Sequence, residues 1–588
     1  MAVKNKPVDV VCVGFGLTAA IVSQELTGEG LSVLALERGT WRNTYPDFAY
    51  PQIMDELKYG IRHYLQQDLS KSTLTFRHRP GQEALPMRHL GSFLLGTDVG
   101  GAAVHWNGQC FRAMPNDFRY RSWVTERYGA EAIPENMTIQ DWGVTYDELE
   151  SHYDTFDKVF ALSGQAGNLR GEIQEGGNPF EGPRTNDFPL PPLRRVHATE
   201  LFDKAARDVG FHPYPVPASN ASKPYTNHYG VDMGPCTFCG FCERFGCYNN
   251  SKGSVQACIL PVLMPKPNFE LRTGCHVTKV LLSDDGRRAT GVLYIGPDGE
   301  ELEQPAEMVV VSAYALHNVQ LLLNSGVGRP YDYATGEGVI GKNYAYQMMG
   351  GINLFFDDEI MDPFVGAGAL GQACDDFQTA AFDHSGLGFV GGAYMGLYQT
   401  GGRPINQARV PKEAGTWGSD WKRGLAKYYA SSAGISTHGS VMSYRDAYLD
   451  LDPTYKDVFG QPLLRMTFDF HQNELRMTKY ITEQARKIAE AMGPSKMDVN
   501  IRTDSYDIVP YQTTHNTGGV IMGEEPRSSA LNKYLQMWDV PNVFVPGASA
   551  FPQNIGYNPT CTLGALTYHM VDAIKSQYLR SPGPLVQT

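Results

Sequence analysis

The chain has 588 residues, too many for one simple core, so two domains are the expectation. A formal net charge of −13 argues against a nucleic-acid partner, and no apolar run approaches membrane-spanning length. The opening residues, Met-Ala-Val-Lys-Asn-Lys-Pro, contain no secretory apolar region. Taken alone, that reads as cytoplasmic, or as a folded chain exported with a partner that carries the signal.

Val8–Val13 is a short apolar run that predicts a buried parallel strand. Gly14-Phe15-Gly16-Leu17-Thr18-Ala19 follows, then a helical pattern through Leu26. Gly14 suits the tight turn, Gly16 lets backbone approach a pyrophosphate, and Ala19 permits close helix–strand packing. The helix N-terminus would face the phosphates. Ser32–Leu36 predicts the second strand, and Glu37 ends it at the spacing of a ribose-binding carboxylate. Leu17, Thr18 and Arg38 adjoin these positions and complete this set of candidate nucleotide contacts. The motif alone does not separate FAD from NAD.

A second glycine patch, Gly96 to Gly108, shows neither helical nor strand periodicity. Its small residues, Gly100 and Gly101 among them, suit close approach to a ligand, with His105, Trp106 and Asn107 following.

Cys236, Cys239, Cys242 and Cys247 then fall in a C-x2-C-x2-C-x4-C run. Thiolates at this spacing point to an iron–sulfur cluster; a zinc site and a pair of disulfides are the rivals. Three ligands would give a three-iron cluster with one thiol spare. Phe238, Phe241 and Phe245 interleave and would keep the site dry. Cys258 is a weaker candidate, and Cys12, Cys110, Cys275, Cys374 and Cys561 read as small core residues.

Val309 to Ser312 predicts another buried strand, with a helix from about Ala315 to Asn324 stopped at Ser325-Gly326. Gly351–Phe356, Gly388–Tyr398 and Leu463–Phe470 are strand-like, and a long helix is predicted from Asn473 to Met492. Val543–Val545 reads as a late strand, with Pro546-Gly547-Ala548 after it. Near the C-terminus, His515 is a candidate to take a hydroxyl proton and Asn558 to hold the same oxygen by its amide, against the reading of a lone histidine as a hydrogen-bonded structural residue. Asn558-Pro559 starts a helix running to about Ala573.

Together these residues resemble the glucose–methanol–choline oxidoreductases, FAD enzymes that oxidise alcohols. The resemblance spans the chain: the fingerprint with Glu37, Gly100-Gly101 through Asn107, Ser312-Ala313 through Ser325-Gly326, and the paired C-terminal segments. It implies FAD contacts at Val277, Ser312, Ala548, Asn558, Pro559 and Thr560, and a catalytic pair of His515 and Asn558. Val104-His105-Trp106 matches the position where some relatives bond FAD covalently to histidine, so His105 is a candidate for that bond, against a noncovalent stacking role. Two departures stand out: Gly-Gly-Ala-Ala replaces Gly-Gly-Ser-Ser at residues 100–103, and Pro-Gly-Ala stands where many members carry Asp.

Within the family the chain resembles the large subunits of membrane-associated sugar dehydrogenases, the gluconate 2-dehydrogenase branch especially, with glucose, fructose and polyol enzymes as the alternatives. That branch implies a three-iron, four-sulfur cluster, a small subunit carrying the export signal and a multihaem cytochrome c with quinone downstream. It places the chain at the periplasmic face of the bacterial inner membrane. An oxygen-reducing oxidase with structural cysteines, and a noncatalytic flavin subunit, are the competing readings.

The expected fold class is mixed α/β. A discontinuous Rossmann-like FAD domain (1–160, 225–345 and 505–588) would stand against a substrate domain (161–224 and 346–504) with a mostly antiparallel sheet backed by helices.

Overall fold

A computed structural model describes residues 2–405 and 407–587. The fold is mixed α/β. Val8–Val13 lies inside the first sheet, and its residues from Val10 to Val13 are buried. It pairs in parallel with Val33–Leu36 on one side and with the long strand Glu301–Val311 on the other. Phe269–Arg272 extends the parallel edge. Ala289–Ile295 and His276–Leu282 add an antiparallel meander at the opposite edge. Val543–Phe544 returns from near the C-terminus to pair with Val309 and Val310. The nucleotide-type sheet is thus built from segments far apart in the chain.

The helix Leu17–Gly28 follows the first strand directly. It is apolar on nearly all sides and mostly buried, as befits a helix covered on both faces. Thr560–Ala573 packs against it.

The second sheet is antiparallel throughout. Its order is Lys496–Asn500, Met348–Phe355, Ser432–Gly439, Ala393–Tyr398, Gly371–Cys374 and Pro213–Pro215. Alternation assigns its faces. Met349, Gly351 and Asn353, with Gly434, Ser436 and His438 on the neighbouring strand, are half-buried and line a cavity. Ile352, Leu354, Ile435 and Thr437 are buried on the other side, where the long helix Gln472–Ala491 packs.

Two sequence readings shift. The strand expected over Gly388–Tyr398 begins only at Ala393, because Gly388 (φ +72°) and Gly391 (φ +115°) take the backbone out of the extended range. The run read as Leu463–Phe470 is Pro462–Thr467, and it belongs to a separate small sheet with Tyr448–Lys456, Leu74–Arg77 and Leu85–Pro86. Hydrophobic periodicity identifies a strand but not the sheet that receives it.

Candidate active site

A cavity of about 1150 Å3 lies between the two sheets. One wall is the fingerprint: Val13 through Thr18, with Leu36, Glu37 and Arg38. Gly14 adopts φ +82°, and a Cβ there would press within 3.0 Å of Ala313 Cα and Ser312 O. A Cβ on Gly16 would meet nothing within 4 Å, so the turn opens onto free space at the helix N-terminus. Glu37 is buried and accepts the Phe15 and Gly39 amides at 2.8 Å each. Burial pushes its carboxyl pKa up, against those two hydrogen bonds. Ser312 donates to Val13 O, which ties the later strand to the fingerprint.

Gly101, His105, Trp106, Asn107, Val277, Ser312, Ala548, Asn558, Pro559 and Thr560 all line the same cavity. Gly100 stands behind it. Its φ is +92°, and its amide donates to Phe15 O at 2.7 Å. Its function is to lock the second glycine patch onto the fingerprint turn. His105 is buried, and its Nε2 has no hydrogen-bond partner among the described residues. Burial, then Lys252, pulls its pKa down to about 3. The cradle at Gly16, the carboxylate of Glu37 and the orphaned nitrogen of His105 together fit a large dinucleotide cofactor such as FAD.

His515 and Asn558 both line the cavity. His515 Nδ1 lies 2.5 Å from Gln347 Oε1, and Gln347 Nε2 donates to Gly556 O at 2.5 Å. His438 Nδ1 lies 3.2 Å from the same Gln347 oxygen, and its Nε2 lies 3.2 Å from Ser436 Oγ. Burial, then His438, pulls the His515 pKa down to about 3, and burial takes His438 to about 4. Both rings are neutral at ordinary pH. Asn558 Oδ1 accepts from Tyr394 OH at 3.0 Å, which leaves the amide nitrogen as its free donor. Tyr394 stacks on His438 with centroids 4.8 Å apart. Next door, Tyr557 is anchored on buried Asp375. A neutral imidazole and an amide donor facing one cavity can deprotonate and hold a hydroxyl.

The four cysteines lie outside the cavity wall, on a loop packed behind its second glycine patch. Cys242 is buried and the other three are half-buried; none is in a disulfide. Burial and the neighbouring Cys242 push Cys239 up to about 11 and Cys236 higher still. The donors are chemically those of an iron–sulfur site. Yet no group of three His, Cys, Asp or Glu side chains among the described residues is gathered to hold a metal ion. The convergence expected from the spacing is therefore incomplete in this geometry.

What ties the loop to the cavity is Lys252, fully buried. Its Nζ donates to Trp106 O, Cys242 O and Phe245 O, each at 2.8 Å. Arg244 N also donates to His105 O.

Sequence reasoning missed Gln347, His438, Tyr394, Arg409 and Lys252. The alternation Gly434, Ser436, His438 was a usable signal, since it puts three small or polar residues on one strand face. Gln347 and Lys252 had none.

Comparison with known proteins follows the same lines. Two GMC oxidoreductase family models match, an N-terminal one over residues 200–349 and a C-terminal one over residues 443–567. The chain is 51% identical over 588 residues to the gluconate 2-dehydrogenase flavoprotein of Pantoea cypripedii, covering 99% of this chain and 96% of that one. It is 24% identical to the fructose dehydrogenase large subunit of Gluconobacter japonicus, covering 96% and 97%. Pyridoxine 4-oxidase from Mesorbium loti superposes with a TM-score of 0.58 at 16% identity, covering 98% of this chain and all of that one, a likeness of fold alone.

Proposed function

The chain belongs to the GMC oxidoreductases, FAD-dependent enzymes of alcohol oxidation, and from that premise we propose that it is the catalytic subunit of a gluconate 2-dehydrogenase. The observation that carries the chemistry is the His515–Gln347 contact. It holds the ring with Nε2 unbonded to protein and open to the cavity, where it accepts the proton of a secondary alcohol. Asn558, its oxygen engaged by Tyr394, donates its amide hydrogen to the substrate oxygen. FAD, held at Gly14, Gly16, Glu37 and the 101–107 loop, supplies the hydride acceptor when bound. The walls of the cavity orient the donor carbon and exclude water.

The substrate reading rests on the 51% identity to a gluconate enzyme. The test is anaerobic mixing of the purified protein with gluconate, glucose, fructose and polyols while flavin absorbance is followed. Gluconate should bleach the flavin fastest. Preferential bleaching by a neutral sugar would reassign the substrate, and no bleaching by any of them would remove the dehydrogenase reading.

We also infer that the cysteine loop is the seat of the iron–sulfur cluster, in support of which stand four unpaired thiols in mutual electrostatic reach. As placed they are not a finished ligand set. A small subunit, a cytochrome c partner and a periplasmic site belong to the same proposal. A related chain named as a large subunit supports it.

A further inference from the structure

One cation on the cavity wall has neither an ion pair, a hydrogen bond nor an aromatic ring against it among the described residues. Arg409 lines the cavity and makes neither an ion pair nor a hydrogen bond to any described residue; only burial acts on its charge. Its guanidinium lies over Gly434, where a Cβ would come within 3.1 Å of Nε and 3.2 Å of an Nη. The missing side chain at Gly434 is what gives the guanidinium its place. Asn353 pairs with Gly434 across the strands and lines the same cavity, and its amide too bonds no described side chain or backbone group.

Two of the other three cavity cations are hydrogen-bonded to protein. Arg38 bonds Gln67 and lies 3.1 Å from His317 Nε2. Lys412 Nζ reaches Val499 O at 3.4 Å. Arg502 makes no ion pair or hydrogen bond to a described residue and its Nε is buried without a partner, but its guanidinium is covered by the Phe470 ring and lies near the charges of Asp504 and Asp507. An uncompensated cation turned into an enclosed space is costly unless an anion meets it there. A planar guanidinium fork with an amide beside it matches a carboxylate.

The position separates this anion from the cofactor's phosphates. The phosphate-type turn at Gly14–Gly16 belongs to the first sheet, and Gly434 belongs to the second. Ser436, whose hydroxyl meets His438 Nε2, is two residues along the strand from Gly434, or about 7 Å. The His515–Gln347–His438–Ser436 line therefore leads from the base toward Arg409 on the substrate side of the cavity.

We propose that Arg409, with Asn353 beside it, is the carboxylate anchor that makes this enzyme select sugar acids over neutral sugars. The inference rests on the dehydrogenase reading above and names the group that would set its substrate class.

The test uses calorimetry on the reduced FAD holoenzyme, with gluconate and its neutral amide gluconamide as probes, so that binding is read without turnover. Wild type should bind gluconate about tenfold or more tighter than gluconamide. Arg409→Met should bring that ratio to about one, and Arg409→Lys should keep part of it. Free guanidinium ion added to Arg409→Ala should restore gluconate binding, which a merely structural role would not allow. Gly434→Ala, which crowds the guanidinium without removing it, should also lower the ratio. A wild-type ratio near one overturns the anchor, as does an unchanged ratio in Arg409→Met. So does an Arg409→Met protein that has lost its FAD, since the fork would then serve the cofactor. Gluconate binding that never bleaches oxidised flavin leaves the anchor standing and sinks the dehydrogenase reading instead. Bleaching by gluconate with an unchanged ratio in Arg409→Met does the reverse.

Discussion

Gln347 holds His515 by one oxygen: Oε1 lies 2.5 Å from His515 Nδ1, while Nε2 donates to the Gly556 carbonyl. A carbonyl accepts only, so Gly556 fixes which end of the amide is nitrogen. The oxygen turned toward His515 then requires the proton on Nδ1, and Nε2 keeps its lone pair. The same oxygen sets the same tautomer in His438, whose Nε2 is left to accept from Ser436. With His515 as the proposed base, Gln347 is the residue that positions it.

Gln347→Met should keep bound FAD and lower the flavin reduction rate at least tenfold, about 1.4 kcal/mol in the barrier, with little change in gluconate Kd. His515→Ala should cost about 10²–10⁴-fold. Stopped-flow reduction of the two variants checks both, and a Gln347→Met rate equal to wild type would separate the amide from the tautomer.

Asn558 gives its oxygen to Tyr394 and so has one free function, donation. Asn558→Asp keeps the shape and loses the donor. It should slow flavin reduction at least tenfold, whereas Tyr394→Phe, which frees the amide to rotate and drops a long contact to Gln109 Oε1, should cost less. The order of the two rates is the test.

The sequence made the fingerprint legible because its chemistry is local: strand, glycine turn, helix and acid follow within thirty-odd residues, and each was found near its expected place. His515 and Asn558 were legible only through resemblance, since they lie far apart in the chain and nothing in either segment announces the cavity between. Gln347 and Arg409 were not legible at all. Each matters through a neighbour brought in from a distant part of the chain, the bend at Gly556 for one and the strand residue Gly434 for the other, and such contacts leave no periodic trace. The cysteine spacing was the loudest local signal, and here local spacing promised more than the backbone delivers, because convergence of thiols depends on loop shape.

The depressed histidines carry a pH signature. His515, at about 3, stays neutral well below the ordinary imidazole value, so the acid limb of kcat/KM should fall below pH 5 rather than near 6.5. His438 is held neutral down to about 4 in the fold, whereas the unfolded chain protonates it near 6.5. In that window the unfolded state binds more protons, so this residue's contribution to stability is present above pH 6.5 and is lost as pH falls toward 4. His438→Asn should therefore gain on wild type in thermal stability between pH 7 and pH 5. A stability difference that does not vary with pH would contradict the assignment.

His105 presents a buried Nε2 with no partner to the cofactor cavity, an arrangement that costs free energy unless something bonds it. We propose that a covalent bond to the flavin satisfies it, the rival being a noncovalent contact with the bound cofactor. Flavin should then stay with acid-precipitated wild-type protein and be released from His105→Ala. Flavin that washes free of wild type would leave His105 a noncovalent contact.

The cysteine loop meets the cofactor loop through Lys252, whose three hydrogen bonds join Trp106 to Cys242 and Phe245. If the thiols hold a cluster, purified protein should contain iron and acid-labile sulfide and give a spin-resonance signal in the oxidised state. Cys239→Ser should lose that signal while gluconate still bleaches the flavin, because the cavity wall contains none of the four thiols. Lys252→Met is the complementary variant. It removes the bridge without touching a thiol, and should loosen both loops at once, seen as weaker retention of flavin together with loss of iron. Iron-free protein with full electron transfer to an artificial acceptor would return the four cysteines to a structural role, and loss of iron with undisturbed flavin in Lys252→Met would show that the two loops are not coupled.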